Sequence, residues 1–236
     1  MGTARLIDEC IKAAGPAWKR YENHPWFAAL ESGSLPIDQF IRFQVEDAPF
    51  IPHLHRALAF GLAKAPIGSS WSRTASAILD EIFVADEIEA KREIVQSLGV
   101  DCLFDRWSLS PRREAYVNHI MRTALEGTIG EIAAVLLPCT YFTTLVGRRF
   151  EGVDIQGPEA YRRWAAIYAA KQMYSMLSAH IEMIEMEANQ NPFSRGELIR
   201  IFVRSVQHQV AVFDDALEPG APWPEVGLEG FGSALA

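Results

Sequence analysis

Apolar positions along this chain recur three and four residues apart over long stretches, and no segment alternates with the period of two that marks a half-buried strand. The pattern predicts helices nearly throughout. The first spans about Ala4 to Lys19, and a short one opens in Glu22-Asn23-His24-Pro25-Trp26-Phe27 and ends near Gly33. Pro36 fits the first turn of the next helix, with Ser34 as candidate cap. That helix carries Phe40, Ile41, Phe43, Gln44 and Asp47, is interrupted at Pro49, and continues through His55 toward Ala65. After a Gly68-Ser69-Ser70 loop, one helix from about Ser72 to Leu98 places Ile78, Ile82, Val84, Ile88 and Ile94 on an apolar face and ends at Gly99, the usual left-handed cap residue. Ser110 as N-cap and Pro111 at the first position start another, expected to pass Tyr116 and Cys139 and reach about Gly147, bending at Pro138. Pro158 starts a helix holding Tyr161, Trp164, Tyr168 and Met176; Pro192-Phe193-Ser194 breaks the chain before a last helix from about Ser194 to Leu217. The reading is an all-α bundle, one domain over residues 1–220 with an irregular Gly- and Pro-rich tail over residues 221–236. Ligand sites in such bundles lie between facing helices.

Composition narrows the classes. An apolar fraction of 49% with 22% charged residues is ordinary for a globular domain. The net charge of −8 and the lack of a clustered basic face or helix-turn-helix signature argue against nucleic acid as a partner. Cys10, Cys102 and Cys139 are odd in number, so they cannot form a full disulfide framework, and their spacing fits no zinc site; a cytoplasmic setting is expected. The N-terminus leads into an amphipathic segment rather than a signal peptide, and no apolar run is expected to reach the ~20 residues that span a bilayer.

Leu136-Leu137-Pro138-Cys139 is the most informative stretch. A proline inside a helix removes one hydrogen bond and clashes with the preceding turn, at roughly 3 kcal/mol. A chain that keeps that defect beside a thiol either aims the thiol or carries a plain core cysteine. A thiol becomes a useful nucleophile when its pKa is lowered or a base adjoins it. Asp47, flanked in helical phase by Phe43 and Phe50, is a candidate carboxylate whose pKa burial would raise; a surface cap or ion pair is the alternative. Tyr116, Tyr141 and Tyr168 read as core aromatics or as ligand walls. The metal candidates Glu46, His53, Asp86, Glu87, Glu131, His180 and Glu182 include no Glu-x-x-His pair, so no metal is expected.

The ordered set of residues resembles the TenA proteins, whose best-known activity is thiaminase II, or aminopyrimidine aminohydrolase. The resemblance runs from His24-Pro25-Trp26-Phe27-Ala28-Ala29-Leu30 through Gly33, Leu35-Pro36, Phe40, Gln44 and Asp47 to Tyr116, Leu136-Leu137-Pro138-Cys139, and Tyr161, Trp164 and Tyr168. It implies a haem-oxygenase-like helical bundle, a homo-oligomer (tetramer or dimer), no cofactor, and a small-molecule pyrimidine substrate from thiamine or its breakdown, processed in thiamine salvage. Cys139 would be the nucleophile and Asp47 the partner of the ring amino group, with Tyr116 and Tyr168 lining the pocket. Three departures stand out. Phe50 keeps a ring where the family often has tyrosine. Thr143 replaces a tyrosine and widens the pocket. Gln209 stands where the family has a catalytic glutamate, and glutamine cannot shuttle a proton at neutral pH. Asp214 or Asp215, about one turn further on, are the possible substitutes. Two other readings stay open: a non-hydrolytic small-molecule binder of the same fold, and a di-iron oxidase on the same bundle.

Overall fold

The computed structural model describes residues 5–80, 83–100, 108–169 and 173–223. Among these the chain forms helices and no strand: α1 Leu6–Glu22, α2 Pro25–Glu31, α3 Ile37–Asp47, α4 Ile51–Lys64, α5 Ser70–Asp80, α6 Phe83–Ser97, α7 Pro111–Glu126, α8 Ile129–Phe150, α9 Glu159–Ala169, α10 Tyr174–Gln190 and α11 Arg195–Leu217, with 3-10 turns at Ala48–Phe50 and Pro192–Ser194. The all-α expectation therefore holds. Of the tail, residues 224–236 lie outside the described set, as do Ala4 and Cys102.

Several boundaries differ from the sequence reading, each for a local reason. The single helix expected from Ser110 to Gly147 is two. Gly127 turns extended (φ −82°, ψ 173°), and Thr128 starts α8 with a capping box in which its hydroxyl accepts from the Glu131 amide and Glu131 accepts from the Thr128 amide. Lys64, at the end of α4, donates to the Ala124, Leu125 and Gly127 carbonyls (2.9, 2.9 and 2.7 Å), satisfying groups that the end of α7 would otherwise leave unpaired. The expected helix from Ser72 to Leu98 is described as α5 and α6, with residues 81 and 82 (Ile82 of the predicted face included) outside the described set. Met176 falls on α10 rather than on the helix begun at Pro158. Ser34 does not cap α3: Pro36 holds that position, and the Ser34 hydroxyl pairs with that of Ser32 (2.9 Å). Within α1, Gly15 takes φ 49°, where a glycine is at ease, directly before Pro16, and the helix kinks there.

α8 is the central element, packing on α4, α7, α9, α10 and α11, while α1 lies along α11 and α6 along α9. Contrary to expectation, α8 is long and apolar enough to cross a bilayer by length and composition, yet 67% of that stretch is buried inside the bundle. Helix assignment is continuous through Pro138, whose carbonyl accepts from the buried Tyr21 hydroxyl (2.8 Å). An aromatic block fixes α3 against α8, α9 and α11. Phe43 stacks on Phe213 (5.1 Å, 10°), and Trp26 meets Trp164 edge-on (5.0 Å). One turn beyond Phe43, the same helix presents Asp47.

Candidate active site

Asp47 ends α3, Phe50 ends the 3-10 turn, and together with α4, Glu87 of α6, one face of α8 and Tyr168 of α9 they enclose a cavity of about 110 Å³. That is the order of the ~150 Å³ void that admits a benzene ring. Cys139, Thr140, Phe142 and Thr143 form the α8 wall; Leu54, His55 and Leu58 of α4, with Met173 and Met176, complete it. The lining is mostly apolar with a few convergent polar groups, the usual character of a small-molecule site.

One polar wall is charged. The Asp47 carboxylate pairs through Oδ2 with Lys91 Nζ (2.9 Å) and through Oδ1 with Arg113 Nη2 (3.3 Å). Lys91 is wholly buried and also donates to the Tyr168 hydroxyl (3.1 Å) and to Gln44 Oε1 (3.4 Å), with Glu87 Oε1 at 4.0 Å. The rings of Phe43 and Tyr168 flank its ammonium. Arg113 is set by the start of α7, where the Ser110 hydroxyl accepts from the Arg113 amide and the Ser110 amide donates to Glu46. Burial works to raise the Asp47 carboxyl, but Lys91 and Arg113 more than reverse it, so Asp47 lies below its ordinary 3.8 and stays ionised. The sequence expectation of a raised carboxyl is thereby corrected: it did not include the two cations.

The thiol lies under the opposite influence. Cys139 opens onto the cavity while the bundle shields it from bulk water. Burial first, then the negative charges of Asp47 and Glu87, push it up to about 12 against the smaller pull of Arg113 and a hydrogen bond from Gln209. Gln209 donates through Nε2 to the Tyr116 hydroxyl (3.1 Å), and Tyr116 stacks on Phe50 (5.1 Å, 24°). Burial holds the Tyr116 and Tyr168 phenols well above 10.

Behind Thr140, which lines the cavity from α8, the polar groups are neutral. His180, fully buried, accepts from Trp71 Nε1 at Nδ1 (3.0 Å) and meets the Thr140 hydroxyl at Nε2 (3.1 Å); burial drives it down to about 3. Among the described residues no three or more His, Cys, Asp or Glu side chains converge as metal ligands would.

The TENA/THI-4/PQQC family model matches residues 11–218. The chain belongs to this family. It is 26% identical over 207 residues to an aminopyrimidine aminohydrolase of Bacillus subtilis (strain 168), covering 87% of this chain and 86% of the relative. Two solved structures share the fold. One is a TenA family transcription regulator from Silicibacter sp. TM1040 (TM-score 0.76, 20% identity, 91% of this chain and 97% of that one). The other is a TenA-like thiaminase from Sulfolobus solfataricus (0.74, 21%, 94% and 99%). These neighbours carry the haem-oxygenase-like helical fold that the family resemblance implies.

In this TENA/THI-4/PQQC member, five of the seven singled-out residues, Asp47, Phe50, Cys139, Thr143 and Tyr168, line the one cavity. Tyr116 and Gln209 stand behind the wall, on Phe50 and Cys139. Asp214 and Asp215 do not take the place of a glutamate at 209. At about 100° per residue they point at least about 120° away from it. Asp214 pairs with His24 Nε2 (3.0 Å) and Arg20, and Asp215 pairs with Arg112 (3.3 Å). Sequence reasoning missed Lys91 and Arg113. The available signal for Lys91 was its phase: it lies three and four residues before Ile94 and Val95, on the buried side of α6.

Proposed function

We propose that this protein hydrolyses thiamine or an aminopyrimidine derived from it, with Cys139 as the nucleophile, and so serves thiamine salvage. The observation that carries the reading is the placement of Cys139 and the ionised Asp47 on one mostly apolar cavity of the size of a single ring. An ionised carboxylate offers about four acceptor positions. With Lys91 and Arg113 occupying two, Asp47 retains capacity for a ring amino group. Phe50, Phe142 and Tyr168 supply faces for a flat heteroaromatic. The Bacillus subtilis relative, named an aminopyrimidine aminohydrolase, supports the substrate class. We further take the protein to be cytoplasmic and homo-oligomeric, as a tetramer or dimer. The free thiols of Cys10 and Cys139 suit a reducing compartment, and light scattering of the purified protein measures the assembly.

The test is a steady-state assay with 4-amino-5-aminomethyl-2-methylpyrimidine and thiamine, with Cys139→Ala beside the parent. Release of the hydroxymethylpyrimidine by the parent and its loss in Cys139→Ala is the expected result; an unchanged rate in Cys139→Ala ends the nucleophile assignment. Gln209 favours one second reading, a non-hydrolytic pyrimidine binder, because its amide cannot carry a proton. Binding without turnover of either compound would select it.

A further inference from the structure

We propose that Glu87 is the proton-transfer residue of this cavity, taking at the α6 wall the role that a glutamine at position 209 cannot perform. The inference rests on the hydrolase reading above and adds to it the group that moves the proton. The need is electrostatic. A thiol pushed up to about 12 carries its proton at neutral pH, so sulfur–carbon bond formation requires an acceptor inside the cavity.

The titratable and charged groups around that space are few. Asp47 is committed through both oxygens to Lys91 and Arg113 and is held below its ordinary value, which makes it a weak base. His180 points at Trp71 and Thr140. His55 lines the cavity from α4. Glu87 lines it from α6, and its charge, with those of Asp47 and Arg113, acts on the Cys139 thiol. It is also oriented: the Tyr168 hydroxyl donates to Glu87 Oε1 (3.3 Å) and itself accepts from Lys91 Nζ (3.1 Å). A buried lysine, a phenol and a carboxylate thus form one hydrogen-bonded chain that ends at the cavity the thiol also lines.

The proton balance closes with no other reagent. Cys139 sulfur bonds to a ring carbon as its proton passes to the Glu87 carboxylate. With the aminopyrimidine as substrate, the electron pair gained by the ring then expels the exocyclic amine, which takes the proton from Glu87 as it leaves. Water adds to the exocyclic carbon and gives a proton back to Glu87. Finally the sulfur–carbon bond breaks, its pair returns to sulfur, and sulfur recovers the proton. Net, one water is consumed and Glu87 is regenerated.

The experiment compares the full chain with Glu87→Gln, Glu87→Asp and His55→Gln, using the same aminopyrimidine for turnover and the hydroxymethylpyrimidine product for calorimetric binding. Glu87→Gln is expected to bind product within about threefold of the parent and to lose about 10²–10⁴-fold in kcat, together with the acidic limb of the pH–rate profile. Glu87→Asp recovers part of kcat; a loss of the acidic limb in His55→Gln rather than in Glu87→Gln overturns the proposal. A Glu87→Gln kcat within threefold of the parent overturns the proposal while leaving the hydrolase reading intact. So does a loss of product binding equal to the loss of turnover, which would make Glu87 a binding group. A parent that turns over neither compound overturns the hydrolase reading and this proposal with it.

Discussion

Two polar groups that back the cavity walls, one behind Asp47 and one behind Thr140, are both buried and yet keep opposite ionisation. In one, Asp47, Lys91 and Arg113 remain charged; in the other, His180 is neutral between Trp71 and Thr140. Lys91 and His180 are equally shielded from solvent, so burial alone does not decide the matter. What differs is the count of opposite charges in contact. Asp47 has two, enough to outweigh its desolvation, whereas His180 meets only neutral partners and gives up its proton instead. The charged wall therefore offers the cavity a fixed electrostatic field, and the neutral wall offers it shape.

Breaking the charged wall carries the largest expected effect. Lys91→Met leaves Asp47 with one cation and should cost about 3–5 kcal/mol, read as a lowered denaturant midpoint. The double variant with Asp47→Asn should not recover that loss, since the buried Arg113 then loses its carboxylate partner. Next comes the pH dependence. The His180 pKa is about 3 folded against an ordinary 6.5, so between these values the unfolded chain holds the proton that the folded chain refuses. Its contribution is full above about pH 6.5 and declines toward pH 3, at up to about 1.4 kcal/mol per pH unit. Asp47 lies below 3.8 when folded, so its contribution is present above 3.8 and is lost as pH falls through that lower value. From about pH 6 to 4.5 the decline thus belongs to histidines, and His180→Leu should flatten it while lowering stability at neutral pH by about 1–3 kcal/mol. His24, His53, His119 and His208 are also shifted down by burial and keep the slope above zero. The smallest effect is Thr140→Val, about 1 kcal/mol in thermal unfolding with the charged wall untouched.

The sequence made the charged wall only half visible. Asp47 and Cys139 could be picked out because motif and helical phase are local. Lys91 was legible in its phase alone, because Glu87 and Lys91 four residues apart have the spacing of a common surface pair, and only the fold closes Phe43 and Tyr168 over them. Arg113 was hidden similarly, in a first turn where only the Ser110-Pro111 start is legible. Thr128-Ile129-Gly130-Glu131 was the reverse case: the capping box is in the letters, but the apolar run beyond it masked the break between α7 and α8. That Asp47 is ionised could not be read at all, since it depends on cations from two distant helices.

α8 also sets a schedule for synthesis. It is apolar enough to suit a bilayer, and its partner α11 ends roughly seventy residues after α8 does. At about 5–20 residues per second, the nascent chain carries this stretch for about 3–14 seconds before its last cover exists. During that interval the helix that bears Cys139 is the segment most open to capture by chaperones or by membrane.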